Sequence, residues 1–271
     1  MILVFGAGGL LGSTICKLYP HEVLGLTYQD LDVRHKNRVF DILKEHRPDA
    51  VINCAGITPR SPSINKEYTA FRVNAEVPWT LSELCTRLDI KLIHMSTDCV
   101  FSGTDAPYTE RSTTDARDLY GMSKAKGEFI VYPHLVIRGS FVGFPDPNGR
   151  GLLSRIADMR ETNGDIPAYS RVLWNGVTVD TMADILMELA RSSRVWGIRH
   201  IFGADTLTKQ QVLGIANKIY QWGLEDRFVS VDTPVSNRCL SSDFSDVTSL
   251  DYYRYTFAKM VARMRKRLGD G

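Results

Sequence analysis

Short apolar segments alternate with amphipathic ones through the first half of the chain. The apolar runs predict strands at 2–5, 22–27, 50–53, 91–96 and 135–138. Apolar residues at helical spacing predict helices at 10–18, 36–45, 68–88 and 118–131. This alternation is typical of βαβ units and predicts an α/β fold with a doubly wound parallel sheet. Such sheets bind ligands at the carboxyl ends of their strands.

The alternation of apolar and amphipathic segments is less regular in the second half of the chain. The segment 144–151, FPDPNGRG, is rich in turn residues and predicts neither a helix nor a central strand. A helix near 180–191 and a strand near 199–202 are expected to return to the main sheet, and 207–222 to leave it again. We therefore expect a nucleotide-binding domain from 1–143, joined by 177–203, and a smaller substrate-binding part from 144–176 and 204–271.

The last segment is basic but has an apolar stripe at helical spacing. We interpret it as a docked terminal helix with a solvated basic face, rather than as a site for an anionic partner. The stripe consists of Phe257, Met260, Val261, Met264 and Leu268.

Composition narrows the function classes. With 44% apolar and 24% charged residues, the 271-residue chain is an ordinary globular one, and a net charge of +2 gives no reason to expect a nucleic-acid partner. The start at Met1 leads directly into a strand pattern rather than a signal peptide, and no apolar run approaches the ~20 residues needed for membrane insertion. Five scattered cysteines indicate a reduced, cytoplasmic protein. Whether it forms a homodimer stays open.

A glycine-rich loop follows the first predicted strand and leads into a helix, as a pyrophosphate-binding loop requires. Glycines let the backbone approach phosphates, and the first N–H groups of the helix face the negative charge. The spacing at positions 6, 9 and 12 differs from G-x-G-x-x-G, so a plain turn is the alternative. The expected binding residues are Gly6, Gly8, Gly9, Leu10, Leu11 and Gly12.

Tyr120 and Lys124 occupy positions i and i+4 of a predicted helix, so that a phenol and an ammonium share one face. A tyrosine with a pKa near ~10 becomes a useful acid-base group only where a neighbouring cation favours its ionised form. Lys124 is placed to supply that cation. The same spacing also occurs by chance on solvated helices.

The segment Ser96-Thr97-Asp98 ends the strand before that helix. A hydroxyl at this strand end can hydrogen-bond a substrate carbonyl. A helix or turn cap is the alternative interpretation. The six histidines show no paired metal-ligand spacing, so we expect no catalytic metal.

Together these motifs make the sequence resemble the extended short-chain dehydrogenase/reductase superfamily and, within it, the dTDP-4-dehydrorhamnose reductase family. The resemblance covers essentially the whole chain and implies a Rossmann nucleotide-binding domain. Besides the three motifs above, it rests on the segments Leu31-Asp32-Val33, 46–56, Val73-Asn74, Gly127-Glu128 and, more weakly, 237–241.

The resemblance implies roles for individual residues. Thr97, Tyr120 and Lys124 would form the catalytic set, with Tyr120 protonating the C4 oxygen of the sugar and Lys124 also holding the nicotinamide ribose. Asp32 and Val33 would border the adenine, while Cys54, Ala55 and Gly56 would line the centre of the cofactor. No acidic residue is evident at 27–29, which favours NADP(H) and leaves NAD(H) open.

Cys99 departs from the family pattern, since reductases of this kind usually carry tyrosine there. In similar epimerase/reductases a cysteine at this place is an acid-base group, and a thiol with a reference pKa of ~8.5 can take that role. The alternative is a small buried side chain. The usual second epimerisation group, a histidine or lysine, is not evident, and Arg155 lies nearest.

The resulting prediction is an NAD(P)H-dependent reductase of a nucleotide-linked 4-keto-6-deoxyhexose. A bifunctional 3,5-epimerase/4-reductase using Cys99 and a non-catalytic NADP-binding regulatory subunit are the alternatives. Substrate contacts are expected from Thr97, Asp98 and Arg238. The candidate cations for the substrate phosphates are Arg150, Arg155 and Arg238, and Arg238 is preferred.

Overall fold

The computed structural model describes residues 1–64, 66–130, 132–144, 146, 149, 151–192, 194–248 and 255–269. Arg150, one of the candidate phosphate-binding cations, lies outside them. Among these residues no helix is long and apolar enough to cross a membrane.

A six-stranded parallel sheet forms the centre of the molecule, in the order β10-β5-β4-β3-β1-β2. It confirms the predicted α/β fold with a doubly wound parallel sheet. The strands are β1 (Ile2–Phe5), β2 (Val23–Leu26), β3 (Ala50–Asn53), β4 (Lys91–Met95), β5 (Leu135–Gly139), β6 (Phe141–Val142), β7 (Ile166–Tyr169), β8 (Val172–Trp174), β9 (Val177–Thr178), β10 (Gly197–Ile201), β11 (Leu207–Thr208), β12 (Phe228–Val231) and β13 (Ser236–Asn237).

Alternate residues of the central strands face two separate apolar layers. Ile2 and Val4 contribute to a large core that includes α1 and α7, whereas Leu3 and Phe5 contribute to a core that includes α2 and α4. This alternation is what a sheet covered by helices on both faces requires. The helices are α1 (Leu10–Leu18), α2 (Lys36–His46), α3 (Glu67–Phe71), α4 (Val77–Arg87), α5 (Leu119–Lys126), α6 (Leu152–Asp158), α7 (Val179–Arg191), α8 (Lys209–Tyr220), α9 (Ser245–Thr248) and α10 (Phe257–Leu268).

Two helices differ from the sequence prediction. The single helix expected at 68–88 is α3 and α4 joined by a π-helical turn at Arg72–Glu76. The helix expected at 118–131 begins after Asp118, whose side chain accepts the Gly121 N–H, and ends at Lys126. A π-helical turn of this kind is often found at a functional site.

The second half adds small sheets beside the carboxyl edge of the main one. β8 pairs with β11 and β13, and β7 pairs with β12. The strand β10 returns to the main sheet and pairs with β5. The described residues of 144–151 form no helix or strand before α6 begins.

The terminal helix α10 buries its whole predicted apolar stripe. The prediction of a solvated basic face is wrong for two of its arginines. Arg263 and Arg267 bind Asp184, and Arg267 also contacts Asp180 at 3.2 Å. The two aspartates are buried on α7, so the pairing arginines must lie over them.

The backbone of α5 lies unusually close to its neighbours at two glycines. A Cβ on Gly121 would lie under 3.0 Å from the carbonyl oxygen of Cys99, and one on Gly127 would overlap the carbonyl oxygen of Asn74 in the same way. Real Cβ atoms do not approach backbone that closely. Both positions therefore require glycine for α5 to pack where it does.

We expect Gly121→Ala to lower the free energy of unfolding by about 1–3 kcal/mol, because the new methyl must push α5 away from Cys99. Gly214→Ala is the matched control, since a Cβ there meets nothing within 4 Å on α8. The control should leave stability unchanged or raise it by up to about 1 kcal/mol. Urea unfolding followed by circular dichroism measures both; equal stabilities for the two variants would contradict the packing argument.

Candidate active site

The glycine loop after β1 forms a cradle of bare backbone. Gly6 has a φ of +81°, and a Cβ there would lie 2.6 Å from the Ala55 nitrogen. A Cβ on Gly12 would overlap the Gly6 carbonyl oxygen. The helix α1 that follows has no side-chain cap and no acidic residue in its first turn. An anionic group such as a pyrophosphate fits this helix start. The predicted residues Gly8, Gly9, Leu10 and Leu11 belong to the same loop and first turn.

The segment after β3 lies beside this cradle and is tied to α5. Asn53 Oδ1 accepts the Ala55 N–H at 3.1 Å. Asn74, in the π-helical turn, accepts the Ile57 N–H at 2.8 Å and donates to Ser123 Oγ at 2.9 Å. A Cβ on Gly56 would lie 3.3 Å from Asn74 Oδ1. The predicted cofactor residues of this segment are Cys54, Ala55 and Gly56.

The predicted adenine end, after β2, contains an arginine that the sequence analysis missed. Arg34 binds Asp32 through two guanidinium nitrogens, at 2.6 Å for Nη2 and 2.9 Å for Nε. This pairing lowers the pKa of the Asp32 carboxyl. Asp30, also missed, accepts hydrogen bonds from the backbone and hydroxyl of Thr27 at 2.8 and 2.7 Å. Val33 packs on the apolar core.

Thr97 caps the turn after β4, and its hydroxyl also forms a hydrogen bond with Tyr120. Its hydroxyl oxygen accepts the Cys99 N–H at 3.1 Å and starts a 3₁₀ turn, Asp98–Val100. The hydroxyl donates to Asp98 Oδ1 at 3.2 Å. Ser96, just before it, donates to Glu128 at 2.5 Å. The end of β4 is thus held by hydrogen bonds on both sides.

Tyr120 lies half-buried at the start of α5, beside the Thr97 segment. Burial raises the pKa of its phenol, Cys99 adds to this, and a hydrogen bond with Thr97 opposes it. The sequence expectation was that Lys124 would favour the ionised phenol. In the structure the Lys124 ammonium contacts the Met95 carbonyl oxygen at the end of β4.

Lys124 is 3% exposed, and its Nζ donates to the Met95 carbonyl oxygen at 2.7 Å. The same Nζ lies 3.3 Å from His94 Nε2. Burial lowers the pKa of Lys124 to about 8, against an opposing attraction from Glu128. Glu128 is itself bound by Arg138 through two nitrogens.

Cys99 Sγ lies 3.5 Å from an Arg238 nitrogen and 3.6 Å from Asp98 Oδ1. Burial and the Asp98 carboxylate raise the pKa of the thiol to about 12, in spite of Arg238. The group is therefore a thiol at neutral pH. This gives no support to Cys99 as a base.

Two cations, Arg238 and Lys209, lie beside the Cys99 segment. The Arg238 Nε is buried with no hydrogen-bond partner among the described residues. Lys209 lies with its Nζ 4.6 Å from the centre of the Trp174 ring, and it interacts electrostatically with Asp98 and Cys99. Burial lowers the pKa of Lys209 to about 8. Arg155, by contrast, is exposed on α6.

The sequence analysis missed Lys209, because its local sequence shows only that it begins a helix. Lys209 is the first residue of α8, after a Thr208 cap that forms a capping box with Gln211. In the described part of the chain, no three His, Cys, Asp or Glu side chains form a group that could hold a metal.

The sequence has relatives among proteins that carry a functional name. A relative from Streptomyces antibioticus, described as a probable dTDP-4,6-dihydroxy-2-methyloxan-3-one 4-ketoreductase, is 31% identical over 215 residues, which cover 76% of this chain and 72% of the relative. The dTDP-4-dehydrorhamnose reductase of Aggregatibacter actinomycetemcomitans is 29% identical over 223 residues, covering 74% and 73% of the two chains.

The fold is also that of a solved structure. The crystal structure of the dTDP-4-dehydrorhamnose reductase of Bacillus anthracis in complex with NADP superposes with a TM-score of 0.84 at 18% identity, covering 98% of this chain and 99% of that one. The family model described as the RmlD substrate binding domain matches residues 1–233. The chain therefore belongs to the RmlD substrate-binding domain family.

Proposed function

We propose that this protein reduces the C4 ketone of a nucleotide-linked 4-keto-6-deoxyhexose with NAD(P)H, in deoxysugar or polysaccharide biosynthesis. The observation that carries this proposal is the placement of Thr97, Tyr120 and Lys124 together at the carboxyl end of β4. The glycine cradle after β1 supports the proposal that a dinucleotide binds here. The two named 4-ketoreductase relatives support the substrate class.

The three residues divide the tasks of the proposed reaction between them. The bound nicotinamide would supply the hydride. Tyr120 would give its proton to the C4 oxygen, and Thr97 would orient that oxygen by turning toward it the hydroxyl hydrogen that Asp98 accepts in this structure. Lys124 would hold the nicotinamide ribose hydroxyls, and its charge would stabilise the phenolate that remains on Tyr120.

We propose NADP(H) as the first choice of cofactor and NAD(H) as the second. Arg34 lies in the loop between β2 and α2, with a nitrogen 3.4 Å from the Tyr28 hydroxyl. An arginine in this region suits the 2′-phosphate of NADP. The loop residues of 6–12 would hold the pyrophosphate, Asp32 and Val33 would border the adenine, and residues 54–56 would line the centre of the cofactor.

We further assign the chain to the short-chain dehydrogenase/reductases and to the cytoplasm. In this proposal residues 1–143 and 177–203 bind the cofactor, while 144–176 and 204–271 bind the sugar nucleotide. The five cysteines are all free, which suits a reducing compartment.

The raised pKa of Cys99 favours simple reduction over the bifunctional epimerase, because epimerisation needs a base to remove a carbon-bound proton. The presence of Thr97, Tyr120 and Lys124 at one edge favours an enzyme over a regulatory subunit. Cys99 and Asp98 are proposed to border the sugar, with Asp98 also holding the Thr97 hydroxyl.

Tyr120→Phe is expected to lower kcat for 4-keto sugar reduction by about 10²–10⁴-fold, because it removes the proposed proton donor. Binding of NADPH, measured by its fluorescence, should change little. Turnover is measured by oxidation at the nicotinamide absorbance with a panel of 4-keto-6-deoxy sugar nucleotides. Tyr68→Phe is the matched control, since Tyr68 is 72% exposed and its hydroxyl accepts a hydrogen bond from Arg72. A Tyr120→Phe enzyme that keeps its kcat would contradict the assignment.

Lys209→Met and Arg238→Met should each raise KM for the sugar nucleotide by about tenfold or more, because a lost hydrogen bond to a charged group costs about 1.5–3 kcal/mol. We assign both cations to the substrate phosphates. Lys218→Met, on the exposed face of the same helix α8, is the control for a change of net charge. If all three variants have the native KM, the substrate phosphates bind elsewhere.

A further inference from the structure

A buried histidine on β4 connects Asn53 of β3 to Lys124 of α5. His94 is fully buried on β4 and lies opposite Asn53 of β3 in the register of the parallel sheet. The Asn53 amide nitrogen lies 3.1 Å from His94 Nδ1, and Lys124 Nζ lies 3.3 Å from the other ring nitrogen, Nε2. The imidazole therefore bridges Asn53 and Lys124.

Asn53 determines which ring nitrogen of His94 carries the proton. Its Oδ1 accepts the Ala55 N–H, so its amide nitrogen must be the atom that faces His94. An amide nitrogen only donates, which makes Nδ1 of the imidazole the acceptor. Burial holds the pKa of His94 well below its usual range, with Lys124 adding to the effect, so the ring is neutral. A neutral ring with a bare Nδ1 has its hydrogen on Nε2.

The Nε2–H of this tautomer points at Lys124. An ammonium has three donors and no acceptor, so it cannot accept the imidazole N–H, whereas a neutral amine can. The Met95 carbonyl accepts a hydrogen from either form of the lysine. The contact with His94 therefore disfavours the charged form of Lys124 relative to the neutral one.

We propose that His94 is a positioning residue, which Asn53 holds in the Nε2–H tautomer. In this tautomer His94 favours the neutral form of Lys124 and thereby sets the upper pH limit of the enzyme's activity. The pH limit rests on the proposed reductase function, because the charge of Lys124 acts through Tyr120. The tautomer itself does not depend on that function.

Other charged and titratable groups that face Lys124 do not replace this effect. Glu128, two residues after the end of α5, attracts the ammonium but is engaged by Arg138 and Ser96. Cys54, at the end of β3, has a pKa that burial raises to about 12, so it is neutral near pH 8. Tyr120, one turn before Lys124 on α5, has a raised pKa and is neutral there as well. His94 is the neighbour whose hydrogen faces the lysine.

The direction of the pH effect follows from these contacts. Below the pKa of Lys124, about 8, the ammonium is present and would stabilise the phenolate that forms when Tyr120 gives up its proton in the proposed reaction. As the pH rises through that value the charge is lost and kcat falls. Replacing the facing N–H by an acceptor raises the pKa of Lys124 and moves this fall to higher pH.

Two variants make that replacement in different ways. Asn53→Asp offers a carboxylate that accepts the Nδ1–H, so the bare Nε2 then accepts from Lys124. His94→Gln places an amide beside Lys124 that can turn its oxygen to the lysine. His134→Gln is the matched control: His134 is also buried, and its Nδ1 accepts the Leu92 N–H while Nε2 contacts Ser82 O at 3.0 Å.

The first measurement needs no substrate. Long-range ¹H–¹⁵N spectra of protein labelled with ¹⁵N-histidine distinguish the two neutral tautomers, and His94→Gln assigns the signal among the six histidines. We expect Nε2–H for His94 in the native protein from pH 6 to 9, and Nδ1–H or a charged ring in Asn53→Asp. A native His94 with its proton on Nδ1, or a charged one, would overturn the proposal.

The second measurement is the pH profile of kcat with NADPH and a 4-keto sugar nucleotide. We expect the alkaline midpoint to move up by about one pH unit or more in His94→Gln and Asn53→Asp, and to stay in His134→Gln. An unmoved midpoint in a folded His94→Gln enzyme would reject the link to Lys124. A native protein that reduces no sugar would instead reject the proposed function. In that case the pH dependence of NADPH binding, which should weaken above about pH 8 and be shifted upward in the same variants, tests the link.

Discussion

The close approach of α5 to two neighbouring backbones is the constraint on which the candidate site depends. Gly121 lets the helix touch the turn that begins at Thr97, and Gly127 lets it touch the π-helical turn at Asn74. Between these two contacts the helix has no freedom to slide, so Tyr120 and Lys124 are held against the end of β4. Asn74 strengthens the second contact by its hydrogen bond to Ser123. Backbone contacts therefore fix the positions of Tyr120 and Lys124 more tightly than side-chain packing alone would.

Burial in such a closely packed place has an electrostatic consequence. It raises the proton affinity of the phenol and the thiol and lowers that of the lysine. In each case burial favours the neutral form of the side chain, because the charged form would lose its hydration. Groups perturbed in this way concentrate at functional sites, although structural burial produces them too. What distinguishes this cluster is that Thr97, Tyr120 and Lys124 also meet at a strand end beside the glycine cradle.

The sequence predicted the sheet well because its strands are short apolar runs separated by turns. The strands β1 and β3 begin and end at the predicted residues, and the apolar stripe of α10 is buried in full. Local patterns could not predict the π-helical turn at Arg72–Glu76, since its five residues keep a helical pattern. They also could not predict that Arg263 and Arg267 pair with Asp184, because those partners are about eighty residues away in the chain.

The site shows the same division. Tyr120 and Lys124 were found because one helical turn separates them, and the glycine loop because it stands between a strand and a helix. His94 and Lys209 were missed for a different reason. Each carries an unremarkable local sequence, and each acquires its chemistry from residues brought near by the sheet: His94 from Asn53 on the adjacent strand, Lys209 from Trp174 and Asp98. Cross-strand register therefore places His94 of β4 beside Asn53, and the packing of α5 brings Lys124 to the other ring nitrogen. The sequence of a single strand holds no record of either contact.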